Sequence, residues 1–258
     1  MKLSEVLAIG CLVLLGASCS VKESREGCPC RLVLDMSEVD TSVVKYAELL
    51  VSASGGFLIR DTIRAGEFES GYIADVPREY VGVGVYFGAS GLVDDQGRLS
   101  IEYGEDCPPV FMHSSFVKAD GEIVTENVLM RKNHCIMTIH VETDQVFPFR
   151  LEAKGNIDGY DSAGAPSEGK FMYAMHTDMS GTCRLLLPRQ TDESLVLEIH
   201  DETGVRKSFA LGEYVAASGY DWQEEDLRDI TVSMDYSLTH MVIHVAGWRD
   251  EHIFDVVV

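Results

Sequence analysis

Histidines and cysteines, eight and seven of them, are the residues of this 258-residue chain best suited to bind a metal or attack a bond. His240 and His244 have the spacing of a helical zinc pair, but Met241-Val242-Ile243-His244-Val245 reads as a strand. On a strand, at about 3.3 Å per residue, the two imidazoles share a face roughly 13 Å apart, too far for one ion. They read as surface or half-buried strand histidines. The acidic groups Asp94-Asp95, Glu105-Asp106 and Glu224-Glu225-Asp226 have the chemistry for acid–base work, yet they sit in polar stretches where solvated charge is the simpler account. Asn156, Asp158 and Asp161 carry oxygens that suit calcium, without the spacing of a calcium loop. No nucleophile elbow, Walker or dinucleotide glycine pattern occurs, and Ser90 in Gly88-Ala89-Ser90-Gly91 reads as a turn. The scan therefore predicts no catalytic residue, no metal, no cofactor and a non-enzymatic protein.

Among the cysteines, Cys11 lies in an apolar N-terminal run and Cys19 closes it. Cys28, Cys30, Cys107, Cys135 and Cys183 remain, an odd number. Cys28-Pro29-Cys30 cannot easily close on itself, because an extended pair of this spacing lies near the limit of bridge geometry. An oxidising compartment allows one or two disulfides among the five, with the pairing open. Scattered cysteines without paired Cys-x-x-Cys spacing argue against zinc.

The strongest chemical signal is the N-terminal segment ending Leu14-Leu15-Gly16-Ala17-Ser18-Cys19. Lys2 supplies a positive start and Val6 to Leu15 an apolar run of signal-peptide length. That run falls short of the roughly 20 apolar residues a membrane span needs. Small residues before a cysteine mark a lipoprotein signal over residues 1–18, although Glu5 and Gly16 depart from its usual pattern. Cys19 would then become the N-terminus, carrying an S-diacylglycerol and an N-palmitoyl group. Residues 19–29 follow as a polar lipidated tether. Each buried acyl CH₂ strengthens membrane binding by about 0.8 kcal/mol, so several chains make a durable anchor.

The formal charge is −21, and residues 1–18 contain one Lys and one Glu, so the exported body keeps it. Such a body is repelled by nucleic acid, and no nucleic-acid partner is expected. With 46% hydrophobic residues the chain has ample material for a packed core.

The elements that must hold these residues are strands. Arg31 to Met36 alternates, and Ala47 to Ser54 and Phe57 to Ile63 flank Gly55-Gly56 as a hairpin. Tyr72 to Val76 is short; Tyr80 to Gly88 has small residues on one face, where another chain can approach. Ile101 to Phe111 reads as loop around Cys107-Pro108-Pro109, and Glu122 to Thr125 and Val128 to Met130 as strands. The pattern then restarts. Cys135 to Val141 echoes the opener, Pro148 to Gly155 the second strand, and Leu195 to His200 the strand at Val81 to Gly88. A polar loop is expected over Asp158 to Gly169. Further strands are expected at Gly181 to Pro188, Ser208 to Leu211, Ile230 to Asp235, Thr239 to Ala246 and Ile253 to Val258, and a helical turn around Trp222. No long helical period occurs, so the prediction is all-β: two tandem β-sandwiches over 30–132 and 133–258. The apolar C-terminal strand must pair with its own sheet or with a neighbour's.

Cys28-Pro29-Cys30-Arg31-Leu32-Val33-Leu34-Asp35 after the lipid cysteine, Leu50-Val51-Ser52-Ala53-Ser54-Gly55-Gly56, and Val83-Gly84-Val85-Tyr86-Phe87 together resemble the FimB-type family. These are the minor-fimbrium anchoring subunits of type V pili in Bacteroides and Porphyromonas. The similarity extends through Asn156 to Tyr160 and Val245 to Trp248. It implies transthyretin-like sandwiches in a lipoprotein of the outer membrane, exposed on the surface, that caps the base of a fimbrium and limits its length. Shaft subunits would be its partners through β-strand complementation. Such shaft subunits assemble after an arginine-specific protease removes an N-terminal strand, and Arg25 and Arg31 are the candidate arginines here. A cut there would free the body from Cys19, so an anchor should resist it. Lys22-Glu23 resembles an acidic surface-export signal, and Asp61-Thr62-Ile63 and Asp161-Ser162-Ala163 resemble O-glycosylation sites at Thr62 and Ser162. The alternative is a surface lipoprotein that binds glycan or host protein, for which Tyr160, Tyr220 and Trp222 are the aromatic candidates. An extracytoplasmic metallohydrolase built on the histidines is the third reading.

Overall fold

The computed structural model describes residues 27–142, 148–235, 240–247 and 251–255. The signal segment, Cys19, Lys22-Glu23, Arg25, Trp248 and the last three valines lie outside them.

Among the described residues, eighteen strands, one short α-helix and two 3-10 turns (Ser54–Gly56 and Ala65–Ser70) follow in order. The first half holds β1 (Cys30–Asp35), β2 (Tyr46–Ser52), β3 (Leu58–Arg64), β4 (Tyr72–Val76), β5 (Tyr80–Phe87), β6 (Leu99–Ser100), β7 (Phe111–Lys118), β8 (Ile123–Asn127) and β9 (Arg131–Lys132). Then come β10 (His134–Glu142), β11 (Arg150–Tyr160), β12 (Pro166–His176), β13 (Thr182–Pro188), β14 (Val196–Asp201), β15 (Gly204–Phe209), α1 (Leu211–Ala217), β16 (Ile230–Asp235), β17 (His240–Val245) and β18 (Glu251–Asp255).

The strands form four sheets. A three-stranded sheet, β4-β1-β8, faces a five-stranded one, β3-β2-β5-β7-β9, across a core of Leu32, Leu34, Leu49, Val51, Val83 and Val85. The sheet β13-β10-β16-β17-β18 faces β12-β11-β14-β15 across Met137, Ile139, Leu151, Leu197, Val232 and Ile243. Both halves are wired alike. β1 lies between antiparallel β4 and parallel β8 as β10 lies between antiparallel β13 and parallel β16. The strands that echo one another in sequence, β1 with β10, β2 with β11 and β5 with β14, hold equivalent places in their sheets.

Between β5 and β7 the chain leaves its own half. Ala89, Val93, Leu99, Ile101, Cys107 and Val110 are buried in the core that surrounds Met137 and Leu197. β6 pairs with β11 through Gly159↔Ser100 and Tyr160↔Leu99. A Cβ on Gly159 would stand 1.9 Å from the Leu99 carbonyl oxygen, so only glycine lets that backbone approach.

Several expectations are corrected. β7 starts at Phe111, the end of the stretch that reads as loop, and its centre, His113-Ser114-Ser115, gives no apolar alternation to read. Val128 to Met130 is not a strand, β11 runs through Gly155 to Tyr160, and the expected polar loop is the tip and arms of the β11–β12 hairpin. Helix α1 occupies Leu211–Ala217, while the Trp222 segment is turns without a helix. The small face of β5 is filled by its own strand: Tyr86 lies over Gly84 and donates its hydroxyl to the Gly97 carbonyl at 3.1 Å. The described part of the C-terminal strand, β18, pairs antiparallel with β17 at the edge of its own sheet.

Candidate functional site

Cys19, the predicted lipid site, lies outside the described residues, and β1 is the first strand among those that are described. That strand is the element through which any N-terminal anchor transmits load. Cys30, Leu32 and Leu34 are fully buried on its inner side. Backbone pairing runs along both edges, five positions to β4 and five to β8. Arg31 points outward, with its guanidinium 3.8 Å from Asp75. The Arg31–Leu32 bond is therefore held inside a central strand, where a protease cannot draw it into an extended active-site cleft without breaking the sheet.

The two glycosylation candidates are on the surface. Thr62 is exposed on the edge strand β3, beside an Asp61 that accepts the Thr62 amide and the Tyr72 hydroxyl. Ser162 is exposed at the tip of the β11–β12 hairpin, where Asp161 caps the turn by accepting the Ala163 and Ala165 amides.

One group of possible metal donors comes together that the sequence reading did not single out. Glu152 on β11 pairs across the sheet with Glu198 on β14, and His200 lies two residues on. Their donor atoms lie within 4.8 Å of one another. His200 Nε2 is 3.2 Å from Glu152 and 2.9 Å from Glu198. Cations of the chain already serve these carboxylates: Lys154 Nζ lies 2.6 Å from Glu198 and 3.3 Å from Glu152, and Arg150 also pairs with Glu152. The bond from Lys154 holds the Glu198 carboxyl below its ordinary range, and the same bond pushes the Lys154 ammonium up. Strand register made the cluster, so spacing along the sequence could not reveal it.

A second buried polar constellation lies within the second half. Tyr160 donates its hydroxyl to the Asn133 carbonyl and accepts the Arg189 amide at 2.8 Å. The Arg189 guanidinium reaches Asn133 Oδ1 at 3.2 Å and the carbonyls of Trp222, Glu224 and Glu225. Above it opens a groove of about 510 Å³, walled by Met112 to Ser114, Leu129 and Arg131, the 163–166 hairpin tip and residues 223–225. Arg131 is itself tied to Glu225 at 2.5 Å.

The remaining candidates are dispersed. His240 and His244 share the outward side of β17, as expected, and are not in a metal-donor group. Asp94 caps its turn against Arg98, Asp95 pairs with Arg60, Glu224 with Arg228, and Asp226 with Arg131. Burial raises the Asp106 carboxyl, which accepts the Leu186 amide. Asn156 turns to Asp192 at 2.8 Å, away from a shared site with Asp161. The disulfide expectation is not met: all five described cysteines are thiols, with Cys28 exposed and the others buried. Burial pushes the Cys135 and Cys183 thiols up to about 12. Tyr160, Tyr220 and Trp222 are buried, so they form no exposed aromatic platform for sugar.

The chain matches no protein-family model and no curated protein. Solved structures do share its fold. A candidate polysaccharide-binding protein from Bacteroides thetaiotaomicron is 14% identical, with TM-score 0.61, covering 88% of this chain and 98% of its own. A candidate adhesin from Bacteroides ovatus is 15% identical, with TM-score 0.58, over 88% and 95%. The fimbrial anchor protein Mfa2 from Porphyromonas gingivalis is 13% identical, with TM-score 0.57, over 86% and 98%.

Proposed function

We propose that this protein is a lipid-anchored, surface-exposed outer-membrane subunit that attaches the base of a fimbrium to the cell and limits its length, without enzymatic activity. Its body comprises two β-sandwich units, 30–132 and 133–258, behind a signal peptide and the tether that begins at Cys19. Shaft subunits are its partners, through β-strand complementation, and Thr62 and Ser162 are its glycosylation candidates.

The observation that carries the reading is the placement of β1. In the family that the sequence resembles, a shaft subunit gives up an N-terminal strand after cleavage at arginine. Here the only described arginine ahead of β2 lies within a strand paired on both sides, with Leu32 and Leu34 completely buried behind it. Burial of those two side chains alone opposes release by about 3–6 kcal/mol. A body that keeps this strand stays joined to Cys19, which is what an anchor requires. The fold shared with a fimbrial anchor protein supports the same reading.

Immunogold labelling of whole fimbriated cells tests it. Gold confined to fimbrial bases is expected, and gold spaced along the shafts overturns the anchor reading. The alternative, a surface binding module for glycan or host protein, draws on the fold shared with a candidate polysaccharide-binding protein and a candidate adhesin. Against its glycan form stands the 510 Å³ groove, which has no Phe, Tyr or Trp in its lining.

A further inference from the structure

We infer that the open edge of β7, from Ser114 to Lys118, with the groove beside it, docks one extended strand donated by a fimbrial subunit; this rests on the fimbrial reading and names the surface that reading requires. β5 pairs with β7 along its whole length, from Phe87↔Phe111 to Tyr80↔Lys118. β9 covers the other side at only two positions, Phe111↔Lys132 and Met112↔Arg131. Past Met112 that side pairs with no strand among the described residues, so alternate amides and carbonyls along the edge stay open. Five residues at about 3.4 Å each give an edge of roughly 17 Å, the length of an ordinary strand.

Its chemistry sets this edge apart. Sheet edges are normally blunted against pairing by charge, bulges or cover. β3 carries Arg60, Asp61 and Arg64; β4 carries Asp75; β8 carries Glu126; β15 carries Arg206 and Lys207. The edge of β12 is partly covered, because its Met172 carbonyl accepts the Gly104 amide at 3.0 Å. On β7 no charge interrupts Ser114-Ser115-Phe116-Val117 before Lys118, and Phe116 is 59% exposed.

The groove begins where β9 leaves β7, with Met112 and Ser114 on one wall and Leu129 and Arg131 on the other. The hairpin tip borders it: a Cβ on Gly164 would meet Met112 and Ser114 at 3.2 Å. Of the cations that line it, Arg131 is already neutralised by Glu225, and His113 is bound to Glu126 at 3.0 Å. Arg189, which also lines the groove, is 9% exposed and already commits its guanidinium to Asn133 Oδ1 and the carbonyls of Trp222, Glu224 and Glu225. What fits is a backbone that supplies the missing ladder bonds and sets small or apolar side chains against Phe116, Leu129 and Met112.

The test uses the full-length protein in fimbriated host cells, with Phe116 replaced by the photo-cross-linking residue p-benzoylphenylalanine. Separate strains carry the probe at Leu58 on β3 and Ile253 on β18, also exposed edge positions. Ultraviolet cross-linking at 116 to a fimbrial subunit, identified by mass spectrometry, is expected, with at least a tenfold lower yield at 58 and 253. A Ser114→Asp change in the position-116 strain should cut the yield at least tenfold while leaving the amount of exported protein unchanged. Cross-links that form only at 58 or 253, only to non-fimbrial proteins or a second copy, or nowhere, overturn the β7 assignment. The fimbrial reading fails separately, if a strain deleted for this protein keeps attached fimbriae of normal length.

Discussion

Leu34→Ala should loosen β1 without unfolding the body, and the size of the effect follows from its burial. Leu34 is 0% exposed and packs in the core between the two sheets of the first half. Truncating such a leucine costs about 2–5 kcal/mol, the spread reflecting how far the cavity collapses. Those lost contacts exist only while β1 is seated, so the population with β1 detached should rise roughly 30- to 3,000-fold at about 1.4 kcal/mol per decade. An arginine-specific protease reads that population at Arg31 when opening and closing are fast relative to cutting. The assay takes a Cys19→Ala body, follows cleavage after Arg31 by mass spectrometry, and measures urea midpoints in parallel. The expected outcome is slow cleavage in the parent and at least 30-fold faster cleavage in Leu34→Ala, with an unchanged urea m-value. Cleavage of the folded parent at the rate of the urea-unfolded chain, or a change under twofold in the variant, refutes the locked-strand argument.

Three further outcomes follow from the polar groups and the thiols. Arg189→Met removes the cation that satisfies Asn133 and three backbone carbonyls, and should lower stability by about 3–5 kcal/mol in urea unfolding; a loss under 1 kcal/mol would contradict that role. Lys154→Met should cost about 1 kcal/mol near neutral pH, since the lysine is 36% exposed and screened. Glu198 has a depressed folded value, so its contribution is present above the ordinary glutamate value of about 4.3 and is lost as pH falls through the lower folded value. The raised Lys154 holds its own contribution up to its ordinary alkaline value, so the parent–variant gap should stay flat from about pH 5 to pH 10 and close in acid. A gap that widens below pH 4 would overturn the assignment. In a Cys19→Ala body a thiol reagent should label one of the five described cysteines rapidly, Cys28, and all five in denaturant; three or more fast thiols would show that the cores are open.

Strands whose apolar residues alternate were readable, because a two-residue period survives without tertiary context. β1, β2, β4, β5, β10, β13 and β14 all announce themselves that way. β7 does not, since the polar run His113-Ser114-Ser115 breaks its apolar alternation. Helix α1 spans only seven residues and lacks a side-chain N-cap, so neither period nor capping marks it. The burial of the 89–110 segment against the far half depends on long-range pairing of β6 with β11, which no local pattern encodes. For the same reason the Glu152, Glu198 and His200 cluster stayed hidden, being assembled by the register of two strands far apart in sequence. Cys19 is the opposite case: its meaning is carried wholly by its neighbours in the chain.

The most direct test of the anchor claim is Cys19→Ala in the native host, with fimbriae followed by cell fractionation and electron microscopy. The account predicts fimbriae that still assemble but are shed into the medium or grow abnormally long. Fimbriae that remain attached at normal length, while only this protein moves to the medium, would contradict it.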